Sequence, residues 1–439
     1  MSHRWTAAAL LVVCAAAAGV RAEVPAVREA VPFIEDDYAR AVSEARSRGV
    51  PVFADVWTVW CHTCQSMRAF VFTDRALERQ AGRFVWLSID AEREPNASFL
   101  EKYPVQAFPT LLVIDPQAEQ AVFRWAGGAT LKQLEHLLDD GERAFRNRGA
   151  GAEEALAKAD RLAARQRNAE AIAAYREALA KAPAGWPQRD RAVESLLGVL
   201  SMSGANADCV STAQAELNAE RGIHLALVVT AGLDCALSLE ADKSAAVARF
   251  EAAARSVVGE PRIEMAADDR SGLYELWVHA RSEAQDEPGA KQVAAEWLSF
   301  LEGEAARAPT PQARAVFDPH RLSAALAAGE PARAIEPLRQ SERDFPQDYN
   351  PPARLSIAYR EAGRIDDALA AADRALGLLA YGPRKLRLYT TKADALEMKG
   401  DTAAVRATLE EALRYARTLP RAQFPKGTVA GLEARLAKL

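Results

Sequence analysis

The sequence predicts two units of different class, α/β then all-α: a layered α/β domain in roughly the first third, followed by an array of helical hairpins. Three observations carry that division. Up to about Asp140, short runs rich in β-branched and aromatic residues alternate with helix-like spacing, the pattern of a layered α/β unit. After the basic, glycine-containing stretch 141–151 the composition turns to Ala, Leu, Arg and Glu with a 3.6-residue period. Within that second part Gly329, Gly363 and Gly400 recur about every 35 residues, each closing one apolar helical pattern and preceding another.

The gross numbers agree with more than one folding unit. A chain of 439 residues is about three times a domain of ~150. Apolar residues at 49% and charged residues at 26% supply a core and exclude overall disorder. A net charge of −5 excludes nucleic-acid binding through bulk charge. Five cysteines are too few for a disulfide scaffold.

Residues 1–22 read as an export signal: Arg4 in a short polar start, an apolar run from Ala7 to Val20, then Val20-Arg21-Ala22 before Glu23. The apolar run is shorter than the ~20 residues that span a bilayer. Val13 stands where lipid attachment at Cys14 would need a small residue. The expected location is therefore periplasmic or secreted, with Cys61, Cys64, Cys209 and Cys235 left after cleavage, an even number that can be fully oxidised. The most apolar later stretch, Ile223 to Leu239, contains His224 and Asp234 and reads as a buried helix rather than a membrane span. The expected division is 1–22 signal, 23–145 α/β domain, 146–151 linker and 152–439 helical array, with the clearest repeats over 315–419.

In the α/β domain the predicted strands are 51–57, 84–90, 110–115 and 121–125, and the predicted helices 36–48, 63–80, 95–103 and 131–138. The sharpest motif, Trp60-Cys61-His62-Thr63-Cys64, follows a strand and opens a helix. Unpaired N–H groups at a helix start and the positive end of its dipole favour thiolate over thiol. Cys61 is then the exposed nucleophile and Cys64, one turn inward, the resolving thiol that releases a mixed disulfide. An imidazolium on His62 would stabilise the reduced pair; a solvated His62 with little influence is the plainer reading. Zinc would need two more ligands, and the nearest downstream histidine is His136, itself read as structural on a leucine-rich helix. Haem attachment would need histidine where Gln65 stands. No metal and no cofactor is expected.

Phe53-Ala54-Asp55-Val56-Trp57-Thr58-Val59-Trp60-Cys61-His62-Thr63-Cys64 together with Phe108-Pro109-Thr110-Leu111-Leu112-Val113 resembles the thioredoxin superfamily, and within it the periplasmic C-terminal modules of DsbD-type thiol:disulfide interchange proteins. The resemblance covers roughly residues 30–140. It implies a thioredoxin fold, a cis Phe108-Pro109 bond facing the disulfide, and Asp55 as a buried carboxyl that takes the Cys64 proton; a carboxyl bonded to neighbouring backbone is the alternative for Asp55. It further implies that Gly127 keeps the groove beside the cysteines open for an extended substrate. Trp57 reads as core, and Trp60 as either core or substrate contact. His62-Thr63 replaces the Gly-Pro pair of ordinary thioredoxins, and Trp86 stands where they carry a lysine near the buried carboxyl.

In the second part, Leu355, Tyr359, Gly363, Ala368 and Ala372 resemble the tetratricopeptide repeat, continued by Ala334 and Pro346 before and Leu409 and Ala412 after. Ala171, Tyr175, Ala178 and Pro183 repeat its second half near the start of the array; 190–309 is helical but degenerate. Such arrays bind peptides or proteins, or serve as packing scaffolds. Cys209 and Cys235 are either a structural disulfide or two buried thiols.

The sequence thus reads as an exported thiol-disulfide oxidoreductase acting on protein thiols or disulfides and exchanging electrons with a redox partner protein. A tetratricopeptide-like array would hold a partner or substrate. The alternative is a non-catalytic protein-binding scaffold made of the same two units.

Overall fold

A computed structural model describes residues 29–146, 150–218 and 222–439. The expected signal segment 1–22, with Cys14, lies outside the described residues, as does 147–149 of the expected linker. The sheet has five strands, β1 (Phe33–Glu35), β2 (Val52–Trp57), β3 (Val85–Asp90), β4 (Thr110–Asp115) and β5 (Gln120–Ala126), in the order β1-β3-β2-β4-β5. β1, β3 and β2 are parallel; β4 runs antiparallel to both β2 and β5. The four predicted strands fall within one residue of these limits. β1, only three residues long, carries too little pattern to read from sequence.

Strands β2, β3 and β4 are buried along nearly their whole length because helices cover both faces. Phe53, Trp86, Leu111, Val113 and Phe123 pack with Phe72, Leu134, Leu137 and Leu138 on one face. Ala54, Val56, Leu87, Ile89 and Leu112 pack with Ala41, Ala45, Phe99 and Tyr103 on the other. The covering helices are α1 (Tyr38–Arg48), α2 (His62–Ser66), α3 (Ala97–Lys102) and α4 (Leu131–Phe145). Thr130 and Gln133 form a reciprocal cap at the start of α4.

The predicted helix 63–80 is broken into three. α2 stops at Ser66, a wide π turn follows over Met67–Val71, and a 3-10 turn spans Arg75–Gln80. Asp74 causes the restart: its carboxylate accepts the Ala76 N–H at 2.8 Å, which caps a new turn instead of continuing the old one.

From Ala152 onward the described residues form a helical array. Its later hairpins pair Asp318–Ala328 with the 3-10 turn Pro331–Ala334 that leads into helix Ile335–Asp344, Asn350–Glu361 with Ile365–Leu378, and Lys385–Lys399 with Thr402–Ala416. Gly329 and Gly400 close their helices in the left-handed region, which a side chain would strain. Buried Ala358, Ala368, Ala371 and Ala375 allow the close helix approach that the repeat pattern requires. Cys209 and Cys235 form a disulfide between helices Asn206–Glu216 and Gly222–Leu237. No helix among the described residues is long and apolar enough to cross a membrane.

The array is fastened to the α/β domain at both ends. Helix Ala152–Ala164 packs on β5, where Arg124 donates to the Ala163 carbonyl, and Arg191 pairs with Asp140 and Asp160. At the far end Gln423 donates to the carbonyls of Ala91 (2.8 Å) and Arg93 (3.1 Å), just beyond β3.

Candidate functional site

β2 delivers the chain to the site and α2 receives it. Cys61 and Cys64 form a disulfide at that junction. Cys61 is the N-cap of α2, its Sγ accepting the Cys64 N–H at 3.0 Å. It is 5% exposed and Cys64 1%. The Phe108-Pro109 bond is cis, and the Gly127 N–H donates to the Pro109 carbonyl at 2.9 Å. Gly127 has φ 110°, a conformation that suits glycine. Its neighbour Gly128 has the tighter requirement: a Cβ there would lie 2.8 Å from the Thr63 methyl.

Asp55, in β2, is 1% exposed, and its Oδ1 has no hydrogen-bond partner. Burial pushes its carboxyl up to about 7 against the opposing pull of Arg68. The cation near Asp55 is therefore Arg68, which follows α2 and also covers the Trp57 ring at 4.3 Å. Trp86 is buried among Phe33, Phe53 and Phe84. Trp57 donates to Ser88 at 2.9 Å. His136, read as structural among leucines, sits exposed on α4.

The array reaches the redox loop directly. Asp268, on helix Ala267–Glu283 and 3% exposed, accepts from His62 Nδ1 at 2.8 Å and from the Thr63 hydroxyl at 2.8 Å. His62 Nε2 lies 3.1 Å from Nε2 of His320, on helix Asp318–Ala328. Nδ1 of His320 bonds Ser271, which also accepts from Trp297 at 2.6 Å. Burial lowers the His62 pKa, but the Asp268 hydrogen bond and charge outweigh it and hold His62 above its ordinary value. Burial and the neighbouring His62 charge bring His320 down to about 3. Burial works against ionised Asp268, yet His62 and Thr63 hold it below the usual carboxylate range. Beside it, burial and the Asp268 charge push Asp269 up to about 7.

On the other side, Trp60 donates to Glu92 Oε1 at 2.9 Å, which also accepts the Arg384 N–H. The Arg384 guanidinium lies 4.7 Å over the Trp60 ring, and Phe108 meets that ring edge-on at 5.8 Å. Burial pushes Glu92 up to about 7, opposed by the Trp60 hydrogen bond. A cleft of about 690 Å³ opens here between Trp60, Glu92 and Phe108 on one wall and Pro383 and Phe424 on the other. The site brings Cys61, Cys64, Trp60, His62, Thr63, Phe108, Pro109 and Gly127 together, with Asp55 at the adjoining strand; the Cys209–Cys235 bond lies apart in the array.

His62, Asp268 and His320 offer ligand atoms within 4.8 Å of one another, a spacing that prompts the question of a metal. The two imidazole centroids are 3.9 Å apart and tilted by 51°. Two imidazoles aimed at a shared zinc at 2.0–2.1 Å would have centroids about 5 Å apart. The rings are packed side by side within a hydrogen-bond chain, so this arrangement does not fit a shared ion.

Sequence reasoning missed Asp268, His320, Glu92, Arg384, Arg68 and Gly128. The array residues carry no local signal, since His62 and Asp268 are 206 positions apart.

Residues 38–142 match the thioredoxin-like domain family. The DsbD thiol:disulfide interchange protein of Yersinia pestis (strain Pestoides F) is 31% identical over 78 residues, covering 17% of this chain and 13% of the relative. That of Pseudoalteromonas atlantica is 26% identical over 87 residues, covering 19% and 15%. The matches thus span well under a fifth of those relatives' length. A tetratricopeptide repeat protein from Parabacteroides merdae is 11% identical, with a TM-score of 0.42 over 65% of this chain and 100% of that one. With the sheet order, the cis-proline and the Cys61–Cys64 pair, the family match identifies 38–142 as a thioredoxin-like domain, here followed by an array of helices.

Proposed function

We propose that this chain is an exported thiol-disulfide oxidoreductase acting on protein thiols or disulfides, with Cys61 as nucleophile and Cys64 as resolving thiol. The observation that carries the reading is the Cys61–Cys64 bond at the start of α2, with Cys61 Sγ accepting the Cys64 N–H at 3.0 Å. A donor aimed at that sulfur stabilises it as a thiolate once the bond is reduced. Asp55, near neutrality in its pKa, is suited to take the Cys64 proton as Cys64 attacks the mixed disulfide. The cleft beside Trp60 and Phe108 admits an extended segment of a substrate protein, and the array supplies its far wall.

Burial of both sulfurs favours a second reading, a binding scaffold in which the bond is structural. Disulfide reduction of insulin separates the two. The wild type turns over and Cys61→Ser loses activity by at least 1,000-fold, on the order of removing a nucleophile; equal, negligible turnover by both overturns the enzyme reading. Cys64→Ser is expected to accumulate a Cys61-linked partner identifiable by mass.

A further inference from the structure

We propose that Asp268, contributed by the helical array, is a positioning residue for His62 and sets the redox potential of the Cys61–Cys64 couple. The inference rests on the reading of Cys61 as nucleophile. Asp268 is buried against the redox loop, and both of its oxygens lie within 3.0 Å of His62 Nδ1. That fixes the imidazole with Nδ1 protonated and Nε2 toward His320.

The chain Asp268, His62, His320, Ser271, Trp297 is satisfied in two protonation states. With His62 neutral, Ser271 donates to His320 Nδ1 and His320 Nε2–H donates to His62 Nε2. When His62 gains a proton, its Nε2–H donates to a His320 whose proton has moved to Nδ1, and Ser271 accepts. Trp297, donor only, bonds Ser271 in both states. A positive His62 is thus accommodated without breaking a bond, and the low His320 pKa keeps the second ring neutral. The other charged groups facing His62 are Asp269 and Glu275 from the Asp268 helix and Arg354 from helix Asn350–Glu361. Arg354 opposes the proton on His62; Glu275 and Asp268 favour it.

Two glutathione thiols reduce the bond, supplying two electrons and two protons and leaving as glutathione disulfide while the protein gains two thiols; the Cys61 thiol then loses its proton to solvent. An imidazolium next to that thiolate stabilises the reduced state, making the couple more oxidising. Asp268 thus acts on the sulfur only through His62.

The test is the equilibrium of the full chain with a glutathione buffer, with the Cys61 pKa followed by thiolate absorbance, in wild type, Asp268→Asn, His62→Gln and the double variant. Asp268→Asn is expected to raise the Cys61 pKa by about one unit and lower the equilibrium constant for oxidation of glutathione about tenfold, or ~30 mV more reducing. In the His62→Gln background the same substitution is expected to change neither. Asp268→Glu, which keeps the charge, is expected to recover most of the wild-type value. An unchanged potential in Asp268→Asn, or an equal shift in the His62→Gln background, overturns the proposal. Should Asp268→Asn fail to fold, NMR titration of His62 in the wild type decides: a pKa at or below the ordinary ~6.5 overturns it. None of these readouts needs a protein substrate, so loss of the enzyme reading in the insulin assay would be recognised separately.

Discussion

Asp55 is a carboxyl placed where ionisation is costly, and its use depends on that cost. With its pKa near 7, it is part protonated at neutral pH, and in the proposed reaction it is the acceptor of the Cys64 proton during resolution. Turnover in the wild type is expected to rise with pH through about 7, where Asp55 ionises. Asp55→Asn is expected to lower turnover about 100-fold and to remove that limb of the profile. Steady-state rates across pH 5–9 check both, and a limb retained in Asp55→Asn would assign it to another group. The residues that carry the proposed chemistry were legible because they are close in sequence: Cys61 and Cys64 sit at a strand-to-helix junction, and Asp55 precedes them on the same strand. Pro109 became legible only through the family resemblance, since an X-Pro bond by itself says little about its isomer. Asp268 and His320 were not legible, because a single Asp or His on an amphipathic helix has no pattern until folding chooses what that helix faces.

At the level of the element, the strands were readable and the segment after α2 was not. Runs of six residues in which apolar side chains dominate both alternating faces have few alternatives to a sheet covered on both sides. The segment 63–80 keeps helical spacing throughout, yet the Asp74 cap and the π turn at Met67–Val71 divide it. That turn brings Arg68 toward Asp55 and Trp57, so the departure from regular helix supplies the cation for which Trp86 is no substitute. In the array, 190–309 departs from the repeat pattern, and Asp268 lies within it. A helix that docks on the redox loop spends positions on polar contacts that an internal repeat would give to packing. The Cys209–Cys235 bond stabilises this irregular region through loop entropy. For a sequence separation of 26 the effect is about 3.5 kcal/mol. Replacing both cysteines with alanine is expected to lower the unfolding free energy of the array in urea by that amount, and its midpoint accordingly, while leaving insulin reduction intact. A midpoint equal to that of wild type would show that the bond adds nothing.

Across the whole molecule, buried carboxyls give stability a defined pH dependence. Asp55, Glu92 and Asp269 each have a folded pKa of about 7 against ordinary values near 4. The folded chain therefore holds protons that the unfolded chain releases between those limits. Their contribution is fully present below about pH 4 and is lost as pH rises through about 7. The melting temperature is expected to be higher near pH 5 than at pH 8. Glu92→Gln is expected to be ~1–3 kcal/mol more stable than wild type at pH 8, with the gap closing toward pH 5. Paired thermal melts at the two values measure it, and a gap independent of pH would remove Glu92 from the account.

The attachment of Gln423 to Ala91 and Arg93 also sets an order of events in biosynthesis. A thioredoxin-like domain near the N-terminus can collapse while most of the array is still being made. The hydrogen bonds from Gln423 join residues more than 300 positions apart, so they form only when nearly the whole chain has emerged. Until then the Trp60 side of the redox loop lacks the wall made by Pro383 and Phe424. The newborn protein passes through an interval in which the Trp60 edge of its redox loop is open on a side that the finished chain covers.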